Sequence, residues 1–263
     1  MLQKWRSHGV ITHAGYILGF PADTPESIER DIRVLQNELP IDILEFFIMT
    51  PLPGSQDHQT LDARGVPMAT DMNIFDLEHV TVDHPRMSQQ AWQEIYERAW
   101  HLYYSPEHIE TLLRRAEATG GPGARKMADS VLVYYGTYRF EHLHPLQSGI
   151  LRRKVRATRR PSFPMANPLL HLPLRVLQTA ATWLSIGLYY VRLHRVARRI
   201  RDDAQAKQYM DLALTPVRPS AEAEPEEVAA TGKTAGVGPA ITPLNDLLKK
   251  TASDRAPGIE RVA

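Results

Sequence analysis

The chain has 263 residues, 43% of them hydrophobic, a formal net charge of +1 and no cysteine. That length holds one or two domains around a folded core. The lack of cysteine excludes disulfides, thiolate zinc sites and any cluster held by the chain's own thiolates. The charge is unevenly spread: residues 1–149 carry 12 Lys/Arg against 20 Asp/Glu, and residues 150–201 carry 12 Lys/Arg and no acid. A basic block of this kind points to an anionic partner, a membrane surface or a nucleic acid.

Met1 to Ser7 reads as the last turns of a helix, with His8-Gly9 as its stop. The N-terminal residues show no apolar signal-peptide core, so the expected location is cytoplasmic. Val10 to Leu18 is an apolar run bounded by glycines, the pattern of a strand buried on both faces in a parallel sheet. Thr24 then caps a helix, Pro25 fits its first position, and Glu26 and Glu29 favour the positive end of the dipole. Ile28, Ile32, Leu35 and Leu39 recur at helical spacing, and Pro40 stops the run. Ile43 to Met49 is a second apolar strand, so the segment predicts a βαβ crossover.

Residues 56–87 read as irregular. Ser88 caps a helix whose Trp92, Ile95, Tyr96, Ala99, Leu102 and Tyr103 share a face. Ser105-Pro106-Glu107 opens the next helix, and Gly120 to Gly123 ends it. A third helical stretch covers about 124–140. Arg152, Arg153, Lys154, Arg156, Arg159 and Arg160 precede a proline-broken apolar stretch. Val176 to Val191 then runs 16 residues without a charge, and five arginines follow by residue 201. From about Pro216 the composition predicts disorder, with a short helix near Thr242–Thr251.

Two loops carry the chemistry: Gly19-Phe20-Pro21-Ala22-Asp23-Thr24-Pro25 after the first strand and Thr50-Pro51-Leu52-Pro53-Gly54-Ser55 after the second. Ligands of α/β folds collect at the C-terminal ends of strands. Gly15-Tyr16-Ile17-Leu18-Gly19 with these loops resembles the late barrel of radical S-adenosylmethionine enzymes, most closely the subfamily with an N-terminal cobalamin-binding domain. In that family the first loop usually reads Gly-Phe-Pro-Gly-Glu-Thr and the second Thr-Pro-Leu-Pro-Gly-Thr. Here Ala22-Asp23 replaces Gly-Glu and Ser55 replaces Thr. The resemblance covers residues 1–110 or so.

The resemblance implies an α/β fold. The last β/α units of a TIM-like barrel occupy residues 1–58, and a helical extension covers 59–145. A basic and apolar helical segment at 146–212 and a disordered tail at 213–263 complete the expected organisation. Carried over residue by residue, Gly15, Ile17 and Gly19 match the GxIxG strand beside the adenosyl group, and Ile17 would touch adenine. Thr50 and Pro51 would lie near the cofactor end of the next strand, and Asp23 would cap the helix. The cofactor the resemblance implies is S-adenosylmethionine. The family's 4Fe–4S cluster and cobalamin belong to the full-length enzyme and are not held by this chain, which lacks the Cys-x3-Cys-x2-Cys loop. The chain is thus expected to be the C-terminal part of a longer enzyme that cleaves S-adenosylmethionine reductively, for methyl transfer or rearrangement at an unreactive carbon.

The alternative is a non-catalytic interaction or membrane-docking protein that complements a separate N-terminal radical S-adenosylmethionine half. For residues 150–201 two readings stand: an interfacial helix on an anionic membrane, peripheral on the inner membrane, or a hydrophobic helix packed on the barrel with solvated arginines. Nucleic acid is not expected, since the aromatics sit in the apolar run rather than among the arginines. His79, His84, His101, His108, His142 and His144 match no zinc spacing, and no metal site is predicted. Glu45 faces either the barrel lumen or outward.

Overall fold

A computed structural model describes residues 2–147 and 167–215. The six basic residues at 152–160, the tail from 216 and the helix expected near 242–251 lie outside the described residues. The chain opens with α1 (Leu2–Ser7), which ends at Gly9 in left-handed backbone (φ 76°). The predicted βαβ unit follows as β1 (His13–Leu18), α2 (Pro25–Glu38) and β2 (Ile43–Ile48). The strands pair parallel, with His13 opposite Ile43 and Leu18 opposite Ile48. Among the described residues this two-stranded sheet is the whole of the named sheet structure.

The start of α2 is set locally. Thr24 Oγ1 accepts from Ser27 N (3.2 Å), Ser27 Oγ accepts from Thr24 N (2.9 Å), and Pro25 stands at the first helical positions. A buried knot holds the strand entrances together. The Asp42 carboxylate accepts from Thr12 N (2.8 Å) and pairs with Arg6, and Thr12 Oγ1 accepts from Asp42 N (3.0 Å).

Residues 56–87 are not wholly irregular. Ser55 caps a helix, α3 (Gln56–Ala63), through His58 N at 3.2 Å. None of its residues is buried, so it has no apolar stripe for periodicity to detect. The expected domain boundary at 58 falls inside it.

Four further helices build the core. They are α4 (Gln89–Tyr103), α5 (Pro106–Ala118), α6 (Gly123–Val131) and α7 (Thr137–Glu141), and a π segment at Leu132–Gly136 joins the last two. Ser88 and Ser105 cap α4 and α5 as predicted. Trp100 joins the buried face of α4 and is fully enclosed. It stacks on Tyr138 (4.6 Å between centroids, 14° between planes) and Tyr104 (6.2 Å, 17°), and meets Phe46 of β2 edge-on at 5.4 Å. Arg115 is buried too, and donates to Gln36 O (2.8 Å) and Asp211 Oδ2 (2.6 Å), tying α5 to α2 and to the last described turn.

The final helix, α8 (Pro168–Asp202), is continuous through Pro173, which lies in its second turn rather than breaking the run. Leu193, Ala197 and Ile200 near its end are buried, whereas Leu169, Leu170 and Leu172 at its start are exposed. No helix among the described residues is long and apolar enough to cross a membrane.

Candidate functional site

Alternation along the strands assigns each predicted residue to a face. Ala14, Tyr16 and Leu18 share one face with Leu44, Phe46 and Ile48. The helical layer covers it, α4 through Trp100 on Phe46 and α2 through Asp31, which accepts from the Tyr16 hydroxyl at 3.2 Å. Gly15 and Ile17 lie on the opposite face with His13, Glu45 and Phe47, and Ile17 is 48% exposed.

This second face is covered over β2 and at His13, where β1 begins, and is open at Gly15 and Ile17. The His144 ring lies 4.6 Å from Phe47, Tyr134 meets His13 at 5.0 Å, and Glu78 Oε1 accepts from His144 N at 2.9 Å. Burial pushes the His144 imidazole down to about 4, against a smaller opposing pull from the Phe46 carbonyl. Glu45 faces this side as well, 3% exposed, with Oε2 at 3.3 Å from His13 Nε2 and Oε1 without a hydrogen bond. Burial raises its pKa, and His13 pulls the other way.

The two strand edges differ in the same sense. Ile43 N donates to Thr12 O (3.0 Å) and Met49 N to Leu18 O (2.9 Å), so the even residues of β1 bond towards β2. The backbone groups of His13, Gly15 and Ile17 therefore point away from β2, and none has a hydrogen-bond partner among the described residues. On β2 the outward groups of Leu44 and Ile48 are met. Leu44 N donates to the Tyr104 hydroxyl (3.1 Å), which donates back to Leu44 O (2.9 Å), and Ile48 N donates to Leu77 O (2.7 Å). Leu77 reaches that contact in left-handed backbone, φ 68°.

Both motif glycines have a local reason. A Cβ on Gly15 would stand 2.8 Å from the Phe47 ring. Gly19 has φ +101°, and a Cβ there would lie 2.0 Å from Trp92. Asp23 does not cap α2, because Thr24 does; its Oδ2 instead accepts from Gly19 N (2.9 Å) and Phe20 N (2.8 Å). Those N–H groups are thereby committed within the loop. His84 Nε2 at 2.9 Å from Phe20 O and Arg86 donating to Ala22 O strap the loop from outside. Thr50 Oγ1 donates to Ile48 O (3.0 Å), and Pro51 is buried. Gly19, Thr50 and Pro51 thus stand together past the C-terminal strand ends, while Gly15 and Ile17 lie along the open face.

Among the described residues no three His, Asp or Glu side chains converge to hold a metal ion. His142 is exposed in left-handed backbone (φ 52°) and His144 is buried, so the pair diverges.

One cavity lies outside the predicted residues. It measures about 380 Å³, and its lining includes His101, Tyr104, Tyr135, Arg139, Tyr189 and Arg192. Arg139 donates to the Tyr135 hydroxyl (3.1 Å), which lies in hydrogen-bond contact with His101 Nδ1 (2.9 Å). Burial, with Arg139 and His142 nearby, lowers the His101 pKa and holds the ring neutral. Tyr135 belongs to the π segment, a backbone irregularity enriched at functional sites. The arrangement can seat a planar group against aromatic walls beside a guanidinium. No family model, curated protein or solved structure matches the chain.

Proposed function

We propose that residues 1–58 are the far wall of an S-adenosylmethionine-binding barrel, a part of a radical S-adenosylmethionine enzyme whose cluster is held on other polypeptide. The observation that carries this reading is β1. Its helix-opposed face is open at Gly15 and Ile17, and its outer edge offers backbone groups without a partner among the described residues, while the equivalent edge of β2 is met at Leu44 and Ile48. A strand paired on β1 extends the sheet in the direction a barrel closes.

The residues present fit the adenosyl end of the cofactor and not the cluster. Ile17 offers an apolar surface to a purine, whereas a chain without cysteine offers no thiolate to iron. With Gly19 and Phe20 N–H held by Asp23, the first loop shapes the wall rather than donating to the ligand. S-adenosylmethionine supplies the reactive carbon chemistry in such enzymes, and this chain's share is to position it. The full-length family adds the 4Fe–4S cluster and cobalamin. The chain works in the cytoplasm or against the inner face of the membrane.

The test is anaerobic reconstitution with iron and sulfide. It is run on the chain alone and on the chain co-expressed with the reading frame directly upstream. The chain alone is expected to hold no cluster. The co-expressed complex is expected to hold one and to lose about tenfold in S-adenosylmethionine affinity on Ile17→Asp, the loss of one apolar contact of about 1.4 kcal/mol. A stoichiometric cluster on the chain alone, or affinity indifferent to Ile17→Asp, overturns the reading.

A further inference from the structure

The exposed half of α8 has two unpartnered apolar stripes, not one. Leu170, Leu174, Leu177, Leu184, Leu188 and Val191 follow one another at spacings of three, four or seven, and each is exposed. Leu169, Leu172, Val176, Trp183 and Tyr190 form a second exposed stripe beside it. His171, Arg175, Gln178, Thr182 and Ser185 form a third, narrow polar one, and Thr179 interrupts the second stripe between Val176 and Trp183. A two-stranded coiled coil needs a single seam of a and d positions. Two adjacent stripes give a wider apolar surface than one partner helix covers, and a narrow polar strip beside them is the profile of a helix lying in a lipid interface.

The same helix runs directly into a basic groove. Tyr190, His194, Arg198 and Arg201 recur along α8 at helical spacing, with Arg195 beside them, and Arg125 of α6 faces them across a groove of about 380 Å³. Arg125, Arg195 and Arg198 make no ion pair or hydrogen bond with any described residue. The acids that touch the groove's residues are Asp129, paired with His194 at 2.9 Å, and Asp202, beside Arg201 at 3.4 Å. Three free guanidinium groups around a cavity of this size form a receptor for a phosphate, and Arg is the side chain suited to that anion.

We propose that the groove of Arg125, Arg195 and Arg198 takes the phosphate of an anionic phospholipid headgroup while residues 169–191 of α8 lie in the adjoining acyl boundary. The groove and the apolar stripes meet at Tyr190 and Val191, so one docking event satisfies both. The 23 residues at 169–191 extend about 34 Å as helix, long enough to anchor along the surface. The inference stands on residues apart from the barrel wall, so either reading can fail without the other.

The test is flotation of the full chain with vesicles of phosphatidylcholine alone and of phosphatidylcholine with phosphatidylglycerol. The chain is expected to float with the anionic vesicles and to stay behind with the neutral ones. Arg125→Gln with Arg198→Gln is expected to weaken partitioning about 30-fold, at about a tenfold change per 1.4 kcal/mol and about 1 kcal/mol per basic residue near anionic lipid. Leu184→Asp with Leu188→Asp is expected to abolish flotation; both positions are 64% exposed, so circular dichroism should show the fold unchanged. Two results overturn the proposal. One is calorimetric binding of inorganic phosphate in the groove without vesicle binding. The other is a dimer in sedimentation, dissolved by the double aspartate variant, that floats with neither vesicle.

Discussion

β1 and β2 have the same length and pair residue for residue, yet one is finished and the other is not. The outward backbone groups of Leu44 and Ile48 in β2 are met by a tyrosine hydroxyl and a loop carbonyl, and Phe47 on its far face lies under His144. Among the described residues β1 has neither an edge partner nor a cover over Gly15 and Ile17. The difference teaches that the helical extension is built around β2. Tyr104, Trp100, His144 and Leu77 all come from segments after the βαβ unit, and they converge on one strand. β1 is held by β2 and α2 and is free to take something else.

Substitutions on the covered face of β2 and on the open face of β1 separate them most widely. Phe46→Ala is expected to cost about 4 kcal/mol, the usual cost of emptying a buried aromatic position. Ile17→Ala is expected to cost no more than about 0.5 kcal/mol. Urea melts of both variants check the contrast, and an equal cost would show β1 to be as enclosed as β2. Asp42→Ala comes next. It removes the acceptor that holds Thr12 at the entrance of β1 and leaves Arg6 buried without its partner. A loss of about 3 kcal/mol is expected, since an uncompensated buried charge is costly.

pH acts on the cover of β2. The unfolded chain takes a proton on His144 near the usual pKa of about 6.5, but in the folded protein the imidazole stays neutral down to about 4. The folded form therefore binds fewer protons in that window, and stability falls as pH drops through it. Between pH 7 and pH 5 the expected loss is about 2 kcal/mol, absent in His144→Phe. His108, held down to about 3 by burial and by Arg115, adds a second loss of the same sign from α5. Thermal melts across that range read both. The smallest loss expected at β2 is at the edge itself. Tyr104→Phe strips Leu44 of its donor and acceptor and should cost about 1 kcal/mol, with faster amide exchange at Leu44.

The elements with local signals were legible in the sequence. Thr24-Pro25, Ser88 and Ser105-Pro106 fix helix starts through contacts within four residues, and those starts stand where they were read. The parallel pairing of the two apolar runs followed from the short crossover helix between them. What escaped depends on partners far along the chain. Gly19 is recognisable as a turn glycine, but the Trp92 ring that fills its side comes from a helix 73 positions later. Glu45 offered two placements, and only the register with Gly15 and the pairing with His13 assign its face. α3 escaped for the opposite reason: it fully buries no residue and sets only Leu61 against the core, so no stripe marked it, and Ser55 alone was the signal.

The stacked rings around Trp100 give the protein a built-in optical reporter. Trp92 and Trp100 are buried on one helix, while Trp5 and Trp183 stand about half exposed on α1 and α8. Trp100 lies between the faces of Tyr104 and Tyr138, so light absorbed by those tyrosines passes to it, and its emission tracks the integrity of the stack. Trp183 responds to what surrounds α8. A quencher dissolved in water reaches Trp5 and Trp183 and leaves the other two dark to it. Unfolding and surface contact thereby change different tryptophans, and the chain can be followed through both without a label.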